Sequence, residues 1–183
     1  YHNLRYITDI TEPDYASEEY KDLAQNSPEV LNSGLFYYKH KKEWNGILPG
    51  SLREAILCFC LANVVRDLRG QSKEPRSMLV NMSRFIHVQK VITEHVAIWF
   101  EEIFNDIRVN FNNDASKNHH LPLYTELCSI WEKHFSNVTD VTFERVSKKV
   151  SLLAALEKIE VKMVNGSKQS ASLNYKENPS LRV

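Results

Sequence analysis

The chain has 183 residues, 43% hydrophobic and 25% charged, an ordinary globular composition at a length that buries a core without disulfides or a structural metal. Its 23 basic and 23 acidic residues cancel, so no global field marks a nucleic acid or a membrane as partner. With 5 glycines it is poorly suited to a turn-rich all-β fold, and the phosphate-cradling strings GxGxxG and GxxxxGK do not occur.

The longest apolar run, inside LREAILCFCLAN, falls far short of the ~20 residues a bilayer requires. The opening YHNLRYITDI has no basic end followed by an apolar stretch, so no signal peptide is expected. Cys58, Cys60 and Cys128 are an odd number with no framework spacing, which suits a reducing, cytoplasmic setting. With no initiator Met, the chain is expected to be a piece of something longer.

In chain order, residues 1–46 read as an acidic N-terminal arm and helical lead-in. Positions 1–30 carry a net −5, broken at Pro13 and Pro28. LPGSLREAILCFCLANVVRDLRG then predicts a helix over about 52–69. Ser51 and Glu54 have capping-box spacing, and Gly70 stands where a left-handed cap belongs. Cys58 and Cys60 lie about 200° apart around that helix and cannot share a metal. After a polar loop at 71–76, the apolar stretch Met78–Met82 predicts a buried strand. The spacing of Ile86, Val88, Val91, Ile92, Val96, Trp99, Phe100, Ile103, Phe104 and Ile107 predicts a helix over about 85–110, with Glu101 and Glu102 outward.

A polar loop is expected over 110–121, then a short helix marked by Leu123, Leu127, Ile130, Trp131 and Phe135, then another over about 141–159. Val161–Val164 predicts a second strand ended by Asn165–Gly166, and 171–175 a weak third. Leu181–Val183 reads as the first residues of a further strand. The expectation is a helix-dominated α/β fold. The strands at 78–82 and 161–164 would run parallel with helices packed on the sheet, and about 110–159 would form a helical insertion in a domain spanning 47–183.

Catalytic constellations are weak. Glu160-Val161-Lys162 spells the ExK of metal-dependent nucleases, but the upstream acids Asp140 and Asp14 are badly placed for it. His119, His120, Cys128 and His134 lack zinc-ligand spacing, and no serine lies in GxSxG. Ser83-Arg84 is the better candidate, at the predicted junction of strand and helix. There a helix N-terminus and a guanidinium suit a phosphate, within a segment from Arg66 to Lys90 of net charge +4. Equally open is a structural role, with Ser83 capping the helix and Arg84 lying on its surface or paired with Asp67 or Glu94.

LPGSLREAI, VVRDLRGQ and SMLVNMSRFIHVQ together resemble the Z1 domain of bacterial restriction-associated proteins, to which endonuclease activity has been ascribed. Pro49, Ser51, Leu52, Ala55, Ile56, Arg69, Gly70, Ser77, Met78, Leu79, Ser83, Arg84, Val88 and Gln89 match its pattern. Val161, Val164, Asn165, Ser167, Leu173 and Tyr175 match a later segment. Asn81 departs where the family usually has His, and Gly166 where Ser is common. The resemblance implies a superfamily-two helicase-like parent using ATP and Mg²⁺. In it this stretch would form an incomplete second RecA-like (P-loop NTPase) lobe, with Walker motifs and cofactors elsewhere and no catalysis of its own. It implies DNA as partner, other restriction-system proteins beside it, and no membrane. Asn81, Ser83, Arg84, Gln89 and Arg69 would be the phosphate-contacting set. The alternative is a helical protein-interaction module within a restriction complex.

Overall fold

The computed structural model describes residues 42–81, 83–164, 173–175 and 177–183. The described residues form two compact units, one containing 42–55 and 81–96, the other 56–80 and 97–183. The elements are α1 (Gly50–Leu68), α2 (Ile86–Asn110), a 3-10 turn (Ala115–Asn118), α3 (Pro122–His134), α4 (Phe143–Val146) and α5 (Lys149–Leu156).

Helix α1 starts slightly earlier than its spacing suggests. The Pro49 carbonyl accepts from the amides of Leu52 (3.0 Å) and Arg53 (3.1 Å), so Pro49 is the cap and Ser51 lies in the first turn. Its far end follows the sequence closely. Gly70 has φ +81°, its amide donates to the Asp67 carbonyl (3.0 Å), and the Gln71 amide donates to that of Arg66 (3.0 Å). That paired closure is the Schellman motif, and it fixes the direction in which the chain leaves the helix. In α2, Val88, Val91 and Ile92 are buried in the first unit and Phe100, Ile103 and Ile107 in the second, as the spacing implied, whereas Ile86, expected in the same stripe, is exposed. Glu101 and Glu102 face outward as expected.

In the second unit, Tyr124 and Trp131 of α3 flank Phe143 of α4, with ring centroids 5.4 and 5.7 Å from it, and Phe111 lies 6.2 Å from Tyr124. The expected helix over 141–159 is two helices, broken at Ser147–Lys148. The polar loop before α3 explains the break, because it supplies the cap of α5. The Val150 amide donates to Asn113 Oδ1 at 2.9 Å. That loop is held by its own amides: Asn118, fully buried, accepts from the Asn112 amide (2.8 Å) and donates to the Asn112 carbonyl (3.0 Å).

The expected α/β class and RecA-like sheet are wrong for the described residues, which are helical and contain no strand or sheet. Extended pairing is confined to two isolated parallel bridges, Arg76 with Arg182 and Ile159 with Arg182. Residues 78–81 are not a buried strand: Leu79 is 86% exposed and Asn81 is exposed. Nor do they pair with 161–164. Instead Met78 donates to the Val183 carbonyl (2.8 Å) and Glu160 to that of Arg182 (2.8 Å), which leaves 181–183 between the two neighbours. The apolar letters at Met78–Val80 mark an extended chain whose hydrogen bonding ends after a few contacts. The acidic arm up to residue 41, the turn at Asn165–Gly166 and the start of the 171–175 segment lie outside the described residues.

Candidate functional site

The turn into α2 belongs to the first unit and holds four of the five residues expected to contact phosphate. Ser83 is buried, and its Oγ accepts from the Phe85 amide at 3.0 Å. Gln89, one turn into α2, donates from Nε2 to the Ser83 carbonyl at 2.8 Å. Phe85 is the cap, since its carbonyl accepts from the Gln89 amide (3.0 Å), so Ser83 braces the approach to the helix rather than its first turn. Arg84 is exposed, with its guanidinium 5.0 Å from the centre of the Phe85 ring. That arrangement restrains the side chain while leaving its charge in solvent. Among the described residues no carboxylate pairs with Arg84. Glu94, one partner considered for it, lies 3.8 Å from Lys90. Gln89 Oε1 is buried without a hydrogen-bond partner among the described residues. Asn81 is exposed, and Gln89 serves the turn rather than the surface.

Arg69 belongs to the second unit. Its Nη2 donates to Asp140 Oδ1 (2.5 Å) and Thr139 Oγ1 (3.1 Å). The hydrogen bond from Arg69 holds the Asp140 carboxyl below the usual range. An arginine engaged in this way joins the end of α1 to residues 139–140 and is a weaker phosphate candidate than Arg84.

Asp67, the other partner considered for Arg84, is taken by two different arginines. Arg182 grips it bidentately, Nη1 to Oδ2 at 2.9 Å and Nη2 to Oδ1 at 2.8 Å. Arg76 reaches the same Oδ1 from Nη2 at 2.7 Å. The terminal guanidinium nitrogens also donate to main-chain carbonyls: those of Arg182 to Ala155 (3.0 Å) and Ser72 (3.1 Å), those of Arg76 to Asn63 (2.8 Å) and Gln71. Both arginines are buried, and the Nε of each has no partner. Burial pulls the Arg76 pKa down, opposed by its hydrogen bond to Asp67. Two cations on one carboxylate leave a positive charge unmatched inside the cluster. Its work is structural, since it ties the end of α1, the following loop, the end of α5 and residues 181–183 together. Sequence reasoning missed this cluster, whose members lie up to 115 positions apart.

The remaining constellations do not assemble. Lys162 pairs with Glu160 of its own tripeptide at 2.6 Å, and among the described residues no group of three His, Cys, Asp or Glu could hold a metal. His119 stands edge-on to Tyr124, with ring centroids 5.1 Å apart. Burial pushes the Cys60 thiol up to about 12, with the neighbouring Cys58 adding to the effect. Among the described residues no helix is long and apolar enough to cross a membrane.

No curated protein and no solved structure matches the chain significantly. The Z1 domain profile matches residues 51–183, from the first turn of α1 through the buried Arg182 to the end of the chain. The motifs around Ser51, Arg69–Gly70 and Ser77–Gln89 all lie inside that span, and this chain belongs to the Z1 domain family.

Proposed function

We propose that this chain makes sequence-independent contacts to a nucleic-acid backbone through the turn at Ser83–Arg84, as part of a larger restriction-associated protein. One observation carries the reading: Arg84 is an exposed, ring-restrained cation beside the positive end of the 25-residue helix α2. Arg76 and Arg182, by contrast, spend their charge internally. Phosphate oxygens suit a guanidinium next to a helix N-terminus, and such contacts position a protein without reading bases. On this reading ATP and Mg²⁺ serve the parent protein, and this chain's part is to hold the backbone.

The test is binding of the purified chain to two duplexes of unrelated sequence over a salt series. Equal affinities that fall together as salt rises support the reading. Binding to neither duplex at low salt would contradict it. It would favour a second reading, a protein-interaction module, which the all-helical character of the described residues supports.

A further inference from the structure

A groove in the second unit runs between α2 and the segment after α5. Phe100 and Leu156 are buried at its base, Phe104, Ile159 and Val161 are half-buried, and Glu101 and Glu157 are exposed at its edge. Its volume is about 290 Å³, just below the ~300–1,000 Å³ range of small-molecule sites, so it suits inserted side chains better than a whole metabolite. No basic residue lines it. Glu160, nearby in the chain, is already neutralised by Lys162. Glu101 and Glu157 are thus the charged residues that line it, beside an apolar floor.

We infer that this groove docks a basic amphipathic helix of a partner protein, with aliphatic side chains inserted over Phe100 and Leu156 and Lys or Arg against Glu101 and Glu157. Charge complementarity selects this occupant. The acidic first 30 residues of the same chain, at net −5, would be repelled from such a rim. Helix-in-groove recognition needs an apolar stripe for affinity and flanking charge for register, and the groove offers a counterpart to both. The inference is independent of the Ser83–Arg84 turn and stands or falls without DNA.

The experiment uses the full chain and a fluorescein-labelled peptide, KKLLKALKKLLKAL, read by anisotropy. Two control peptides replace every Lys by Glu, or every Leu by Ser. Saturable binding of the first peptide alone is expected. The double variant Glu101→Lys/Glu157→Lys, which changes exposed side chains only, should weaken it by about tenfold or more, and Ala97→Arg at the exposed edge should weaken it comparably. Circular dichroism melts confirm that these variants fold. Three results would overturn the inference: no saturable binding, equal binding of either control peptide, or undiminished binding by the folded double variant.

Discussion

Asp67 is the carboxylate at which the end of α1, the loop after it and residues 181–183 meet. It is 17% exposed in its side chain and accepts from both Arg76 and Arg182. Asp67→Asn would leave two buried guanidinium groups facing each other without a counter-charge, a loss of roughly 3–5 kcal/mol. Arg182→Met should be milder, because the remaining Asp67–Arg76 pair is charge-balanced and the new side chain is apolar. Urea denaturation of the two variants gives the order directly, and a larger loss for Arg182→Met would show that the backbone carbonyls, not the carboxylate, dominate the cluster. Cys60 allows a second check at the same scale. Its thiol is buried and raised to about 12, so at pH 8 it should resist a thiol-labelling reagent until the chain is unfolded. Labelling of Cys60 as fast as of the half-buried Cys58 would place it outside the core.

At the scale of elements, the end of α1 decides where Asp67 and Arg69 point. Gly70 adopts its left-handed conformation in open space, where an added Cβ would meet nothing within 4 Å, so only backbone strain opposes substitution. Gly70→Ala should therefore cost about 1–2 kcal/mol, and a thermal melt should show the lowered midpoint. An unchanged melt would mean that the closure of α1 contributes nothing to the fold. This cap was legible because its signal is local: a glycine two positions after the last apolar residue of the helix, Leu68. The helices α1, α2 and α3 were legible for the same reason. The expected strands were wrong, since the described residues contain none. Whether Met78–Val80 or Val161–Val164 becomes a strand depends on a partner far along the chain, and composition cannot report one. The break between α4 and α5 escaped notice because its cause, Asn113 capping α5, lies 37 residues away from the amide it accepts. Ser83-Arg84, expected at the junction of a strand and a helix, does precede a helix, but no strand leads into it among the described residues. The partners considered for Arg84, however, belong to other cations.

For the whole molecule, the zero net charge conceals a division of labour among its cations. Arg76 and Arg182 are interior and hold segments together, Arg66 and Arg69 pair with Glu74 and Asp140, and Arg84 keeps its charge in solvent. Backbone binding at the Ser83–Arg84 turn alone rests on few contacts, and its affinity should be modest and salt-dependent. The groove edged by Glu101 and Glu157 carries the opposite sign, so protein and nucleic-acid partners would not compete for one surface chemistry. The most direct measurement is duplex affinity against salt for the wild-type chain and Arg84→Ala, with a melting curve for each. The account predicts that Arg84→Ala weakens binding about equally on unrelated sequences and lowers the salt slope by roughly one counterion, with little change in melting temperature. A lowered melting temperature with DNA affinity and salt slope unchanged would contradict it and make Arg84 a structural residue.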